Sequence, residues 1–363
     1  MKPPFKSILI LLLLPVFVFA NNDPKFKGKY TKTKTLNKEY TVNANAGLTV
    51  DNSYGNVDVV TWNENRTVIE VVITTNGNNE ERVQEKLNNI DVEFSGSASR
   101  VTAKTIFKGR KNSSWSWWGN KKNNVRMEIN YTVKLPVTNS VDLSNDYGSI
   151  SLNRLEGNAR ISCDYGQVNI GELMAENNSL NFDYTKNSNI GYMRSGKINA
   201  DYSGYTLEKA GALEVSADYT KSEILEAESV NYNNDYGKII IGKVGDVMGR
   251  GDYIPLRIDE LNGDLNINTD YGSVTVDRIT SAAGDITIQS DYAGIKLYFE
   301  GGYNFDFDID LSYAGLNGKD GLEITKEIKD HSSKHYVGYH GTKGSGNVIN
   351  INSDYGGVTL ERN

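Results

Sequence analysis

The sequence lacks disulfide chemistry, because Cys163 is the only cysteine in 363 residues. Stability in an oxidising compartment therefore cannot rest on an internal disulfide. Cys163 alternates with Ile161 in a strand-like pattern, and we expect its thiol to be a small buried side chain.

Long apolar runs are also scarce, and the sequence contains only one. The only such run covers residues 8–19, which is shorter than the roughly 20 residues of a membrane-spanning helix. Two lysines precede it, and Val18 and Ala20 occupy the positions that a signal peptidase recognises. The pattern predicts a secretory signal peptide over residues 1–20 and no transmembrane span in the mature chain. An exported protein is expected, located in the periplasm, at the outer membrane or outside the cell.

Basic charge is in deficit, with 39 Lys and Arg against 46 Asp and Glu and a formal net charge of −7. Removal of the predicted signal peptide and its two lysines takes this charge to −9. Because an acidic surface repels the phosphate backbone, nucleic acid is excluded as the main partner.

Catalytic motifs are absent as well. The sequence contains no nucleophile elbow, phosphate loop or paired metal motif. Some β-helical proteins cleave acidic polysaccharides, but that chemistry needs acidic and basic groups that converge on one groove. Here the acids recur at regular intervals and the arginines are scattered, which predicts a protein that is not an enzyme and has no cofactor.

Histidine occurs only at His331, His335 and His340. Their clustering suggests a metal, but the spacing matches no familiar zinc pattern and no cysteine is near. Chance placement in a polar loop is the better interpretation.

What the sequence does contain is a repeat marked by a tyrosine, usually preceded by Asp and often followed by Gly. Successive tyrosines are 17 to 21 residues apart, apart from a last gap of 42 residues. That gap fits two units, with His335-Tyr336-Val337-Gly338 as the missing corner, and Ser53-Tyr54-Gly55 is an outlying earlier copy. The repeated tyrosines are Tyr147, Tyr165, Tyr184, Tyr202, Tyr219, Tyr236, Tyr253, Tyr271, Tyr292, Tyr313 and Tyr355.

Apolar residues alternate with polar ones on both sides of each tyrosine, as at Leu265 and Ile267 before Tyr271. This period of two predicts two short strands per unit, separated by a corner in which Gly supplies the unusual backbone angles. Such units bury their inward faces only by stacking. The predicted fold class is all-β: a parallel β-helix (β-solenoid) of about 12 coils over residues 136–363, forming a rod of roughly 55 Å.

Residues 21–135 do not repeat, although residues 48–59 resemble one coil. We predict strands at 67–75, 91–94, 100–107 and 125–135, and one helix at 79–87. Because a solenoid exposes an unpaired edge at each end, this non-repetitive N-terminal β module is expected to be a cap.

Several segments are similar to a bacterial family of unknown function whose members are called putative adhesins. The similarity lies in residues 131–143 with the following Tyr147-Gly148-Ser149-Ile150, in the early coil at 52–57 with Trp62, and in the ending at 355–360. It covers nearly the whole mature chain and implies an exported β-helical protein of the cell envelope. The regular Asp-Tyr corner departs from the looser pattern of that family.

The aspartates before the tyrosines form the first candidate site. In register they would be about 4.8 Å apart, where like charges repel by roughly 0.9 kcal/mol even in water. Hydrogen bonds from the amides of the turn would offset this repulsion, and calcium bridging adjacent carboxylates is the alternative. The predicted calcium ligands are Asp146, Asp164, Asp183, Asp201, Asp218, Asp235, Asp252, Asp270 and Asp291, with Asp354 completing the column.

The second candidate site is the segment containing Trp115, Trp117 and Trp118, which lies between pairs of basic residues. Exposed indoles would suit a sugar ring, a partner protein or a membrane surface. The alternative is that the segment folds back and buries them in the cap.

Together these features favour a cell-envelope or surface protein, an adhesin or scaffold that presents a rigid, repetitive face and performs no catalysis. The alternative is a polysaccharide-binding or polysaccharide-cleaving β-helix. A periplasmic protein with a structural or regulatory partner is a third reading. A glycan or an envelope protein is the expected kind of partner.

Overall fold

The computed structural model describes residues 26–108 and 125–363. These residues form 27 strands, joined in one hydrogen-bonded sheet, and one helix. The predicted all-β class with a single helix is therefore confirmed. The elements up to residue 136 are β1 (Tyr30–Thr41), β2 (Gly47–Ser53), β3 (Val57–Trp62), β4 (Arg66–Gly77), α1 (Glu80–Asn88), β5 (Ile90–Gly96), β6 (Arg100–Phe107) and β7 (Arg126–Pro136).

Strands continue without a helix through the repeating part. They are β8 (Ser140–Asp146), β9 (Ser149–Leu155), β10 (Ala159–Asp164), β11 (Gln167–Leu173), β12 (Asn178–Asp183), β13 (Ser188–Asn199), β14 (Gly204–Ser216), β15 (Lys221–Asn233), β16 (Lys238–Arg250), β17 (Pro255–Leu261), β18 (Leu265–Asp270), β19 (Ser273–Ile279), β20 (Ile286–Asp291) and β21 (Gly294–Phe299). The last strands are β22 (Phe305–Ser312), β23 (Leu316–Asn317), β24 (Glu323–Asp330), β25 (Ser333–His340), β26 (Val348–Asp354) and β27 (Val358–Arg362).

Alternation of apolar and polar residues determines which side of each strand faces the core. In β8, Val141 and Leu143 are buried while Asp142 between them is exposed. The same pattern recurs in β10, where Ile161 and Cys163 are buried. A period of two places alternate side chains on opposite faces, so one face of every strand joins the apolar interior.

Strands pair in parallel with the equivalent strand of the next repeat. Leu143 lies opposite Ile161, and Ile161 lies opposite Leu180. Two series of strands result, one on each side of the tyrosine corner. The first series contains β2, β8, β10, β12, the second halves of β13–β16, β18, β20, β26 and β22. The second series contains β3, β9, β11, the first halves of β13–β16, β17, β19, β21, β27 and β23.

The N-terminal segment confirms the predicted elements and adds one. Strands β4 to β7 and helix α1 correspond to the predicted positions, and the side chain of Asn79 caps the helix by accepting a hydrogen bond from the amide of Arg82. The early coil-like segment joins the repeats, since β2 and β3 pair in parallel with β8 and β9. Strand β1 was not predicted. It pairs antiparallel with β4, which pairs antiparallel with β7, and β5 pairs antiparallel with β6.

The predicted corner at His335-Tyr336-Val337-Gly338 was wrong. Tyr336 is not a corner residue but a buried residue of β25, which pairs antiparallel with β22 and β24. The chain forms β22 first and then returns, so that β26 lies between β20 and β22. The gap of 42 residues therefore contains a hairpin instead of an extra unit. This hairpin supplies an antiparallel partner for the outer edge of β22, which would otherwise be an unpaired sheet edge.

Candidate binding face

A column of stacked tyrosine rings runs along the corner between the two strand series. Neighbouring ring centroids are 4.6–5.2 Å apart, and the ring planes differ by 1–9°. At a strand spacing of about 4.8 Å, the column extends about 50 Å. We call this set the tyrosine column; in spatial order it contains Tyr54, Tyr147, Tyr165, Tyr184, Tyr202, Tyr219, Tyr236, Tyr253, Tyr271, Tyr292, Tyr355 and Tyr313.

Every member of the tyrosine column has a left-handed backbone, with φ between 51° and 66°. The left-handed region costs an L-residue other than glycine roughly 1–2 kcal/mol. We had expected the following glycine to supply the unusual angles, and this prediction was wrong: Gly148 and Gly166 are not among the residues with positive φ.

Those glycines are required by close approach instead. A Cβ atom at Gly166 would overlap the carbonyl oxygen of Gly148, and one at Gly148 would overlap the carbonyl oxygen of Gly55. At these two corners the backbone comes too close to the neighbouring layer for a side chain to fit between them. Where the glycine is replaced, as at Thr185, Thr220 and Ile254, the side chain is buried.

The tyrosine column presents ring edges and hydroxyl groups. All members except Tyr54 are 45–65% exposed, yet each inner ring is covered on both faces by its neighbours. An open ring face, which a sugar would need for stacking, is therefore not offered along the column. Partial burial, together with the proximity of neighbouring phenols and carboxylates, raises the pKa of Tyr165, Tyr219 and Tyr355 above the ordinary value.

The predicted aspartate column lies beside the tyrosines and forms hydrogen bonds between layers. The amide of Asp201 donates to Oδ1 of Asp183 over 3.0 Å, and the amide of Asp218 donates to Oδ1 of Asp201 over 3.1 Å. The acceptors continue along the column with Asp164, Asp218, Asp235, Asp252 and Asp270. The donor is an amide of the next layer. From the sequence we expected a donor in the same turn, and this prediction was wrong. Calcium binding by this column stays a prediction.

Like charges remain close in the aspartate column. Partial burial and then the neighbouring carboxylates raise the pKa of Asp146, Asp183 and Asp291 above the ordinary value. For Asp183 the hydrogen bond from Asp201 opposes this shift without cancelling it. The column is therefore held together by backbone donors against its own electrostatic repulsion.

The three histidines are not brought together. His331 is exposed beside Asp330, whereas the imidazole of His340 is buried between the carbonyl oxygens of Gly321 and Gly301. His335 lies between two aspartates, with Nε2 2.9 Å from Asp308 Oδ1 and Nδ1 3.8 Å from Asp310 Oδ1. Within residues 26–108 and 125–363, this trio is the one group whose potential metal-ligand atoms lie within 4.8 Å of one another. The hydrogen bond to Asp308 is sufficient to explain its geometry.

Cys163 is fully buried, as predicted, and its thiol donates to the carbonyl oxygen of Gly148 over 3.3 Å. Burial raises the pKa of this thiol to about 12, so it is not a reactive thiolate. Trp115, Trp117 and Trp118 lie outside the described residues, as does the predicted signal peptide.

The outward side of the first strand series changes in chemistry at β18, β20 and β26, which sequence reasoning missed. On the second series, cations and anions alternate between layers, as in Lys209–Glu226 at 2.7 Å and Lys243–Glu260 at 3.3 Å. On β18, β20 and β26 of the first series the outward side chains that precede the column aspartates are uncharged. We call these six residues the amide face: Asn266, Asn268, Thr287, Gln289, Asn350 and Asn352. The Asn-Ile-Asn pattern of β18 and β26 was visible in the sequence, but their common position beside β20 was not.

No family model matches the chain, and no curated protein matches it. Solved structures do. A putative cell adhesion protein from Clostridium sporogenes is 12% identical, with a TM-score of 0.18 over 92% of this chain and 100% of the other. A putative adhesin from Parabacteroides distasonis is 12% identical, with a TM-score of 0.28 over 72% and 92%. A putative lipid binding protein from the same organism is 9% identical, with a TM-score of 0.28 over 90% and 96%.

Two of these neighbours carry the adhesin description that the sequence resemblance led us to expect. Identities and TM-scores this low transfer neither an activity nor a partner to this chain. The part of the chain that the structure describes contains no helix that could span a membrane.

Proposed function

We propose that this chain is an exported cell-envelope or surface protein, an adhesin or scaffold, whose tyrosine column is the face presented to a partner. The observation that carries the proposal is the left-handed backbone of all twelve column tyrosines. Backbone strain that recurs at one kind of position is a reason to look for function there.

Stability alone gives little reason for tyrosine at these corners. Each left-handed tyrosine costs roughly 1–2 kcal/mol, which glycine would avoid. Each stacked pair returns only about 0.5–1.5 kcal/mol beyond the area it buries. Because these contributions nearly cancel, tyrosine stabilises the fold little more than glycine would. What tyrosine adds to the corner is an exposed ring edge and a hydroxyl group.

We further infer a parallel β-solenoid of about twelve coils as the scaffold for this face. Support comes from the parallel pairing of equivalent strands and from the antiparallel strands at both ends. Such a scaffold places equivalent side chains at a constant spacing, which suits adhesion or assembly by many weak, identical contacts.

Absence of catalysis is part of the proposal. The aspartates form a uniform column, so no single layer is distinguished as a reactive centre, and we expect neither a cofactor nor product release. Incubation with acidic polysaccharides such as alginate and polygalacturonate tests this point. Release of shortened products would instead favour the polysaccharide-cleaving alternative.

The test compares cells that produce the full chain, a deletion strain, and a variant with Tyr202, Tyr219, Tyr236 and Tyr253 changed to Asn. Asn tolerates the left-handed region but removes the ring. Attachment to mucin-coated and bare polystyrene wells is counted, while protease treatment of intact cells reports surface exposure. We expect the Asn variant to attach as poorly as the deletion strain, although it remains folded and exported.

A matched variant carries Asn189→Ala and Thr206→Ala on the second strand series and should attach like the parent. Unchanged attachment in both the deletion strain and the Asn variant would contradict the adhesive role. Protection of the chain from protease on intact cells would point instead to a periplasmic protein with a structural or regulatory partner.

A further inference from the structure

The amide face carries hydrogen-bonding capacity that the fold does not use. Asn266, Thr287 and Asn350 lie side by side on β18, β20 and β26, and Asn268, Gln289 and Asn352 form a second row. Five of the six side chains are exposed, and Thr287 is half-buried. In the part of the chain that the structure describes, none of the six side chains makes a hydrogen bond.

The outward side of the second strand series is an ordinary solvated surface and serves as a comparison. There, outward charges pair between layers, as in Lys209–Glu226 and Lys243–Glu260, with a further pair between Arg257 and Asp277. Exposed pairs of this kind contribute about 0–1 kcal/mol each and satisfy one another. The amide face has no such pairing.

Carboxylates frame the amide face on three sides. Asp264 and Asp285 lie where β18 and β20 begin, and the aspartate column lies where they end. On the third side, Asp308 and Asp310 of β22 lie opposite Asn350 and Asn352. No cation belongs to the amide face itself. On its fourth side Arg250 of β16 lies opposite Asn268, so a polyanion would meet more carboxylates than cations.

The charges also favour a neutral ligand over a cationic one. Asp264 and Asp285 already accept hydrogen bonds from the amides of Asp285 and Val348, both at 2.8 Å. Asp270 accepts one from the amide of Asp291 at 3.0 Å. The carboxylates are thus partly used by the fold, whereas the side-chain amides remain free both to donate and to accept. A sugar hydroxyl likewise donates and accepts, which matches a row of amides better than a row of cations does.

We propose that the amide face binds an extended, uncharged polysaccharide through hydrogen bonds to Asn266, Asn268, Gln289, Asn350 and Asn352. Its position on the first strand series makes this site separate from the tyrosine column. The amide face offers hydrogen bonds to a sugar, whereas the ring faces of the tyrosine column are covered and cannot stack on one. Recognition here needs no metal and no covalent step.

Affinity electrophoresis of the purified mature chain tests the site. The gels contain a neutral β-glucan, a mannan or a xylan, with alginate as the polyanion and chitosan as the polycation. We expect retardation by at least one neutral polysaccharide and none by alginate. Asn268→Ala combined with Asn352→Ala should weaken that binding about tenfold or more, because two hydrogen-bonding side chains are lost.

The matched control is Asn189→Ala with Thr206→Ala on the second strand series, which should bind like the parent. All four positions are outward-facing, so we expect both double variants to fold. Thermal melting of each variant checks this. The proposal is overturned if no neutral polysaccharide retards the parent, if only chitosan or only alginate does, or if the amide-face variant binds as well as the parent. None of these outcomes affects the cell-attachment result expected for the tyrosine column.

Discussion

At the residue scale, the corner tyrosine combines a cost with a contact. Its positive φ is unfavourable for an L-residue, and its ring is stacked on the layers before and after it. Tyr219 lies in the middle of the column, where both contributions are present. Two substitutions at this position separate them.

We expect Tyr219→Ala to lower the free energy of unfolding by about 1–3 kcal/mol, because two stacking contacts are lost while the strained backbone remains. Tyr219→Gly loses the same contacts but relieves the strain, and should be about 1 kcal/mol less destabilising. Urea denaturation of both variants measures the difference. Glycine that destabilises as much as alanine would show that the corner is not strained.

A second residue-scale prediction concerns the glycine after the tyrosine. Gly166→Ala should lower the free energy of unfolding by about 2 kcal/mol or more, because its Cβ would overlap the carbonyl oxygen of Gly148. Gly357→Ala is the control, since nothing lies within 4 Å of the added carbon and its φ is not positive. Comparable melting temperatures for the two variants would refute the close-approach role.

The aspartate column also predicts a pH dependence. The pKa of Asp183 is raised above its ordinary value of 3.8, so the folded state holds this proton more tightly than the unfolded chain. Its contribution to stability is present below pH 3.8 and is lost as the pH rises through the folded pKa. Asp183→Asn should therefore raise the urea midpoint more at pH 7 than at pH 3.

Asp91→Asn provides a control of opposite sign. A hydrogen bond from Lys108 lowers the pKa of Asp91, so its stabilisation is present at neutral pH and lost on acidification. This variant should lose stability at pH 7 and little at pH 3. If both variants respond to pH in the same direction, the repulsion attributed to the aspartate column is wrong.

At the element scale, the aspartates act as a column in which one oxygen of each column carboxylate from Asp164 to Asp270 is used by the next layer. Backbone donors thus offset part of the repulsion, for which calcium was the alternative explanation. A bridging cation would have to use the remaining oxygens of adjacent layers, which are hard ligands of the kind that calcium prefers.

Calcium binding is therefore tested directly. If calcium bridges the column, calorimetric titration should release or absorb heat, and a chelator should lower the melting temperature of the calcium-loaded protein. Asp218→Asn with Asp235→Asn, which interrupts the middle of the column, should reduce both effects. No heat and no change in melting would rule out the calcium prediction.

At the scale of the whole molecule, antiparallel strands close both ends of a largely parallel sheet. Strand β25 covers the outer edge of β22, and β24 covers β25 with a strand rich in charged residues. Charged edge strands discourage pairing with other chains. The two ends thus have a structural role that differs from that of the repeats between them.

Replacement of residues 319–341 by a short Gly-Ser linker should expose the edge of β22 and cause concentration-dependent association. Light scattering after size-exclusion chromatography measures this, with the full chain as the reference. A truncated chain that is folded and stays monomeric across the concentration range would contradict the capping role.

The sequence by itself determined what is local and repeated. The tyrosine spacing, the alternation around Leu143 and Ile161, and the helix after Asn79 follow from short-range patterns, so strands, corner and stacked rings could be predicted. Tertiary structure alone decided the position of Tyr355 between Tyr292 and Tyr313 and the antiparallel pairing of Tyr336. It also decided that β18, β20 and β26 form one amide face. Pairing between segments 63 residues apart depends on which sheet edge is open, and local periodicity holds no information about that edge.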